Sequence, residues 1–282
     1  MSSVKVADVQ QNYTVAGLME RIKAALQAAG HGDGPLQWSD LTSFDQFHVR
    51  GLEASKELAC ALQLTAGETL LDLGSGLGGP ARYLAAMHEA QVTGIDLTDE
   101  FVEVSTYLSR RCSLQDKTSF VEGDAAALPF PAEYFDHAWT QHVAMNIPDK
   151  QKLYAGVRRI LKPGGTFALY DAVQGGVGPI LYPTPWAREA GISFVATTQE
   201  VEEALRTAGF TIISSVDQSG IGAEWFRQMR TQQAAAQASP QPPNPLSASA
   251  ILGPELGPAV ANFGKNLLED RVRILQVIAK KQ

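Results

Sequence analysis

A run of glycines lies directly after a short apolar segment that ends in an acid. Residues 70–82 read LLDLGSGLGGPAR, with Asp72 two places before Gly74. Glycines permit positive φ angles and let a ligand lie against the backbone. The free N–H groups at the start of the helix that follows favour an anionic group. The segment therefore predicts a nucleotide-type cofactor site, and Gly74, Gly76 and Gly79 have the G-x-G-x-x-G spacing that suits NAD or FAD.

Two further acids lie at the ends of predicted strands. Asp96 ends the segment VTGID, where its carboxylate can accept hydrogen bonds from both hydroxyls of an adenosine ribose. Asp124 follows the segment FVEG, where it can accept from an adenine amino group while the Ala125 N–H faces the ring. Taken alone, Asp124 is more typical of a residue that caps a helix or a turn.

The elements that must position these acids alternate between strand and helix. The predicted strands are 69–73, 91–96, 118–122, 135–141, 166–171 and 211–217. The helical patterns between them are 80–88, 99–111, 150–161 and 199–208. This alternation predicts an α/β fold with a doubly wound, mostly parallel sheet, in which ligands bind beyond the carboxyl ends of the strands. The β-branched segment 271–280 predicts a last strand, with a C-terminal helix as the alternative.

The segments around this core predict a cap. We expect an N-terminal helical cap over residues 1–66, with one helical pattern from 12 to 29, and the cofactor-binding core over 67–221. A cap insertion is expected over 222–268 and the last strand of the core within 269–282. The segment from 231 to 258 is rich in Ala, Gln, Pro and Ser, which predicts an exposed loop or a partly ordered cap.

Composition excludes several classes of function. The 282 residues carry a net charge of −7 without a long basic run, which argues against electrostatic binding of nucleic acid. Cys60 and Cys112 form no C-x-x-C pair, so no metal site is expected. No segment is long and apolar enough to span a bilayer, and the first residues lack the apolar core of a signal peptide. We therefore expect a cytoplasmic protein without a membrane partner; the sequence does not indicate its oligomeric state.

The strings after Asp124 resemble one family. LPFPAEYFD at 128–136 precedes LKPGG at 161–165. With the D-x-G-x-G-x-G loop, these strings resemble, in order and spacing, the class I S-adenosylmethionine (SAM) methyltransferases. The resemblance covers residues 69–171. It implies SAM as the cofactor and a Rossmann-like sheet of seven strands with an antiparallel C-terminal strand.

The resemblance also implies roles for individual residues. Gly74, Ser75 and Gly76 would pass beneath the methionine part of SAM, and Asp72 would brace the loop near the amino group. Asp96 and Leu97 would flank the ribose and adenine, Asp124 and Ala125 would hold the adenine edge, and Gln141 and His142 would face the sulfonium.

A finer resemblance indicates a small-molecule acceptor. The strings DQFH at 45–48 and WTQHVAMNI at 139–147 resemble methyltransferases of sarcosine and dimethylglycine, and of tocopherol and quinone head groups. We expect transfer to nitrogen or oxygen, and less so to carbon. His142 is the candidate catalytic base, or it orients the acceptor; these two roles are weighed evenly. The candidate acceptor-binding residues, each of which could instead serve packing, are Phe44, Phe47, His48, Tyr182 and Trp186.

Two other functions remain as alternatives. An NAD-dependent oxidoreductase would need a catalytic pair such as Tyr-x-x-x-Lys, and no such pattern follows the fourth predicted strand. A SAM-binding regulatory subunit without turnover would keep the binding residues but methylate no metabolite.

Overall fold

The computed structural model describes residues 6–238 and 242–282. The strands are β1 Thr69–Leu73, β2 Gln91–Asp96, β3 Thr118–Glu122, β4 Phe135–Gln141, β5 Leu161–Gln174, β6 Phe210–Asp217 and β7 Val272–Lys281. The helices are α1 Val6–Tyr13, α2 Leu18–Ala28, α3 Thr42–Asp45, α4 Leu52–Leu62, α5 Gly79–Met87, α6 Asp99–Arg111, α7 Lys150–Ile160, α8 Thr198–Thr207, α9 Ser219–Ala238, α10 Ala248–Leu252 and α11 Leu256–Leu268. Short 3₁₀ turns lie at Trp38–Leu41, Ala125–Ala127, Ala144–Asn146 and Ala190–Ile192.

The seven strands form one sheet in the order β3-β2-β1-β4-β5-β7-β6. The five strands from β3 to β5 are parallel, and β7 runs antiparallel to both β5 and β6. The predicted doubly wound α/β fold with an antiparallel C-terminal strand is confirmed. Four predicted strands have the bounds of β1 to β4, whereas β5 is longer than predicted at both ends.

The last strand forms because its two faces pack into different cores. Ile274 and Ile278 pack with the core under α4, α5, α9 and α11, whereas Leu275 and Val277 pack with the core on the opposite face. Neighbours on both sides satisfy the hydrogen bonds of β7. A helix would place apolar residues on one face only, so burial on both faces favours the strand.

The cap differs from the sequence-based expectation in two places. The predicted helix from 12 to 29 is two helices, because the chain turns at Gly17, whose φ is +71°. The first part of the expected loop from 231 to 258 is helical: α9 continues to Ala238, in keeping with the helix propensity of its Ala and Gln residues. Residues 239–241 of this segment lie outside the described residues.

A third core joins the two cap segments to each other. Leu18, Ile22 and Leu26 of α2 pack with Leu246 and Ile251 from around α10. The Ser43 hydroxyl also donates to the Leu246 carbonyl at 2.6 Å. The N-terminal cap and the 222–268 insertion therefore pack together over the carboxyl ends of the strands.

A buried ion pair fastens the cap to the sheet-bound helices. Arg82 of α5 donates through Nη2 to the Asp45 carboxylate of α3 at 2.9 Å, and both side chains are almost inaccessible to water. The same nitrogen donates to the Leu77 carbonyl at 2.6 Å. Among the described residues, no helix is long and apolar enough to cross a membrane.

Candidate active site

The glycine loop after β1 has a backbone that requires glycine. Gly74 and Gly76 adopt φ angles of +69° and +51°. A Cβ atom on Gly74 would lie 2.3 Å from the Val143 side chain, whereas nothing lies within 4 Å of a Cβ on Gly76. The first glycine thus permits close packing beneath the loop, and the second leaves open space beside it.

The Asp96 carboxylate is held in place by backbone donors. Its Oδ2 accepts from the Gly76 N–H at 2.8 Å, and its Oδ1 accepts from the Thr98 N–H at 3.0 Å. Each carboxylate oxygen has a second lone pair, so the group can accept further hydrogen bonds from a ligand. Asp96 and Leu97 both line the main cavity.

Asp124 serves as a cap and also lines the cavity. Its Oδ1 accepts from the Ala126 N–H at 2.8 Å and so caps the 3₁₀ turn, as the alternative interpretation expected. Asp124 and Ala125 both line the cavity. The capping and ligand-binding interpretations are therefore compatible, because the carboxylate has a second oxygen.

Asp72 and Ser75 lie beneath the loop. Asp72 is buried, and its Oδ2 has no hydrogen-bond partner among the described residues. Burial raises its pKa to about 8, and the nearby charge of Asp96 acts in the same direction. The Ser75 side chain packs against Gly94, where an added Cβ would lie 2.6 Å from its Oγ. Neither Asp72 nor Ser75 lines the main cavity, and their roles in cofactor binding stay predictions.

Gln141 and His142 lie where the fourth strand meets the cap. Both line the cavity, and the His142 N–H donates to the Tyr170 carbonyl at 2.8 Å. His48 lies beside them: its Nε2 is 2.9 Å from the Gly51 carbonyl and 3.1 Å from the Gln141 amide nitrogen. Burial lowers the pKa of His142 to about 3 and that of His48 to about 4, so both rings are neutral at pH 7.

The predicted aromatic wall is only partly present. Phe47 and Trp186 line the cavity, with 38% and 1% of their surface exposed. Phe44 does not line it: this residue is 2% exposed and packs in the core shared by α2 and α10. Tyr182 also lies outside the cavity and packs against the core below it. The structure therefore gives Phe44 and Tyr182 packing contacts and no place in the cavity lining, a distinction that spacing alone does not reveal.

Several cavity residues were missed by the sequence analysis. Phe226 of α9 and Phe263 of α11 both line the cavity, with ring centroids 5.5 Å apart. The Phe263 ring also lies 4.9 Å from that of Trp186 and 5.6 Å from that of His142. Tyr13 also lines the cavity, and its hydroxyl accepts from Asn146 Nδ2 at 3.0 Å. Helical periodicity was the available signal, but it does not distinguish a core residue from a cavity residue.

The cofactor loop and the aromatic side chains of the cap line one continuous cavity of about 1420 Å³. Its loop end is lined by residues at the strand ends: Gly74, Gly76, Asp96, Leu97, Gly123, Asp124 and Ala125. Its cap end is lined mainly by His48, His142, Trp186, Trp225, Phe226 and Phe263. Pockets for one drug-sized ligand hold about 300–1,000 Å³, so this cavity has room for two ligands side by side.

Among the described residues, no group of three or more His, Cys, Asp or Glu could hold a metal ion.

Residues 71–169 match the family model described as "Methyltransferase domain". This segment of the chain is therefore a methyltransferase domain. The methyltransferase domain spans β1 to β5, and with it the strand ends that form the loop end of the cavity. The family resemblance found in the sequence is thereby confirmed.

Curated relatives of the methyltransferase domain act on different small molecules. A sterol 24-C-methyltransferase of Pneumocystis carinii (strain B80) is 33% identical over 159 residues, 54% of this chain and 42% of that one. The 27-O-demethylrifamycin SV methyltransferase of Amycolatopsis mediterranei (strain S699) is 33% identical over 172 residues, 57% of this chain and 61% of that one. The chain thus spans less than two thirds of either relative.

Solved structures with the same fold include a [4+2]-cyclase. The structure of the [4+2]-cyclase SpnF has a TM-score of 0.68 at 23% identity and covers 97% of this chain and 96% of that chain. A putative sarcosine dimethylglycine methyltransferase from Galdieria sulphuraria also has a TM-score of 0.68, at 15% identity, covering 93% of this chain and 98% of that chain. These likenesses extend the shared fold to the cap, but at such identity they indicate no common substrate.

Proposed function

We propose that this protein transfers a methyl group from SAM to a bulky, largely apolar small molecule. The observation that carries the proposal is the single cavity of about 1420 Å³, which joins the polar loop end to the aromatic cap end. A cofactor at the loop end and an acceptor at the cap end would share this space without a barrier. Such an arrangement lets the protein hold two reactants in line, a source of about 7–11 kcal/mol of rate acceleration in favourable cases.

The residues of the loop end fit the groups of SAM. Asp96 would accept from the ribose hydroxyls, Asp124 from the adenine amino group, and the Gly74–Gly76 backbone would face the methionine part. Asp72, buried beneath the same loop, would brace the backbone that faces the methionine part. When bound, SAM supplies an electrophilic methyl group on a cationic sulfur.

The charges around the cap end favour an oxygen acceptor over an amine. Two carboxylates line this part of the cavity, and both already have partners. Asp149 Oδ1 accepts from the Lys152 N–H at 2.9 Å, and Glu269 pairs with Arg271 at 2.7 Å. The nearby rings of His48 and His142 are neutral. Lys152, Arg230 and Lys265 also line the cavity, so cations outnumber these two carboxylates and disfavour an ammonium acceptor.

Methyl transfer should be measured together with SAM binding. We expect calorimetry to show binding of SAM and S-adenosylhomocysteine but not of NAD. With SAM labelled in the methyl group, label should enter apolar hydroxylated compounds such as macrolactones, sterols or polycyclic phenols. Binding of SAM without transfer to any compound in a metabolite extract would contradict the proposal and favour a protein that uses the fold for another purpose.

A further inference from the structure

One nitrogen of the His142 ring is already engaged by the protein. The backbone of His142 adopts a φ of +57°, a left-handed conformation that directs its chain away from β4. At the far side of its ring, the Val49 N–H donates to Nε2 at 3.4 Å. Val49 is buried, so this donor has no access to solvent. The contact orients the ring, since an N–H group buried without an acceptor is costly.

This contact determines where the ring carries its proton. A nitrogen that accepts from an N–H group bears no hydrogen, so a neutral His142 must be protonated on Nδ1. The ring is neutral at pH 7 because burial, with a smaller effect from His48, lowers its pKa to about 3.

The groups packed around the ring supply no charge that would reverse this state. The His48 ring stacks on that of His142, with centroids 6.4 Å apart and an angle of 20° between the ring planes. The rings of Tyr170 in β5 and Phe263 in α11 pack edge to face against His142, each with a centroid distance of 5.6 Å. Beyond Tyr170, Arg50 pairs with Glu57 at 2.7 Å, so these two charges offset each other. Among the described residues, no carboxylate bonds to His142.

We propose that His142 donates a hydrogen bond from Nδ1 to the acceptor oxygen, and that this oxygen is already ionised, as in a phenol or enol of low pKa. The inference rests on the proposed function and names the substrate class of the same site. Nδ1 has no partner among the described residues, although His142 lines the cavity. A ring nitrogen that donates its N–H to the reacting oxygen cannot also take the hydroxyl proton from that oxygen. The acceptor must therefore bind in its ionised form. A hydrogen bond to an anion is the stronger kind, which favours binding of the ionised form.

The transfer balances without a base. The acceptor oxygen forms a bond to the methyl carbon with a lone pair, and the carbon–sulfur bond breaks with its pair left on sulfur. The negative oxygen becomes a neutral ether oxygen and the sulfonium becomes a neutral thioether. No proton is released, and none has to reach His142.

Nitrogen NMR of the protein without ligands tests the ring directly. With ¹⁵N-labelled histidine at pH 7, we expect the His142 signals of a neutral ring protonated on Nδ1. Loss of these signals in His142→Asn assigns them, and His31→Asn serves as the matched control outside the cavity. A ring protonated on Nε2, or doubly protonated, would overturn the proposal whether or not the protein methylates anything.

A series of acceptors with different pKa values tests the substrate class. In the pH profile of kcat/KM, we expect activity to fall at low pH with an apparent pKa that follows the pKa of each acceptor. His142→Ala should lower kcat/KM about 10- to 100-fold, the range for a lost hydrogen bond to a charged group. His142→Asn, whose amide can donate near the Nδ1 position, should recover most of the loss. A limb fixed at one pH for every acceptor would contradict the inference, whereas failure to bind SAM would contradict the proposed function itself.

Discussion

The two ends of the cavity are built in different ways. The loop end uses polar groups and backbone from residues 74–125, each placed at the end of a neighbouring parallel strand. The cap end uses aromatic side chains from segments as far apart as Phe47 and Phe263. Geometry at the loop end is maintained by short backbone hydrogen bonds, and at the cap end by packing between helices. We therefore expect that different substitutions will change SAM affinity, the KM of the acceptor, and the stability with which the cap packs on the sheet.

The largest expected effect comes from the ion pair that fastens the cap. Asp45→Ala leaves the buried Arg82 guanidinium without its carboxylate, which should cost about 3–5 kcal/mol of unfolding free energy. The double variant Asp45→Ala/Arg82→Met should recover part of this loss, because no buried charge is left. Chemical denaturation measures both, with Glu224→Ala in the exposed Arg227 pair as a control of little effect. Equal losses in the single and double variants would contradict the account of the pair.

The loop end is tested by Asp96→Asn. Loss of the charged acceptor for two hydroxyls should weaken SAM binding about 100-fold, or about 2.7 kcal/mol, while the KM of the acceptor at saturating SAM changes little. Calorimetry measures the first effect, and steady-state kinetics the second. Asp116→Asn, at an exposed site, is the control. Unchanged SAM affinity would remove Asp96 from the cofactor site.

The cap end is tested by Phe263→Leu. This change removes the edge contacts with Trp186, His142 and Phe226, which should cost about 1–1.5 kcal/mol of stability. It should raise the acceptor KM about tenfold and leave SAM affinity intact. Phe210→Leu, in the core outside the cavity, should lower stability similarly without changing KM. A higher KM in both variants would show that stability, and not contact with the acceptor, is responsible.

The two ends should also respond to pH with opposite signs. The pKa of His142 is about 3 in the folded state and about 6.5 unfolded, so the unfolded chain takes up the proton first. Stability from this group is present above about pH 6.5 and is lost at up to about 1.4 kcal/mol per pH unit as pH falls. The pKa of Asp72 is about 8 in the folded state, above its unfolded value of 3.8, so its contribution is present below pH 3.8 and is lost as pH rises towards 8.

Single variants isolate these opposing slopes. Between pH 4 and 6.5, His142→Asn should lose less stability than the parent protein as pH falls. Asp72→Asn should lose less than the parent as pH rises from 4 to 8. Denaturation curves across this range measure both differences. Parallel pH curves for the parent and for His142→Asn would mean that this ring is not held neutral by burial.

Much of the core could be predicted because its signals are local. Each strand from β1 to β4 is a short apolar run that ends at a turn, and the periodicity of neighbouring residues identifies it. The loop end follows from the same signals, since parallel strands place Asp96 and Asp124 at one edge of the sheet. The roles of individual residues in binding SAM remain predictions. For Asp124, one carboxylate both caps a turn and lines the cavity, which the two competing interpretations had treated as alternatives.

The cap could be predicted as a cap but not as a binding surface. Phe44 and Phe47 are three residues apart, yet one packs in a core and the other lines the cavity. Arg82 was left without a role because its partner Asp45 lies in a separate helix, 37 residues earlier in the chain. Contacts of this kind depend on how distant helices pack, and no pattern in either segment records them.

The sequence by itself determined the doubly wound, mostly parallel sheet, its antiparallel last strand through the family resemblance, and the acids at its strand ends. These features depend on burial patterns and turn chemistry that operate over a few residues. Tertiary structure alone decided which aromatic side chains face the cavity and which His142 nitrogen is left free towards it. Those outcomes depend on packing between α4, α9 and α11, where a side chain's surroundings come from residues that are remote in the chain.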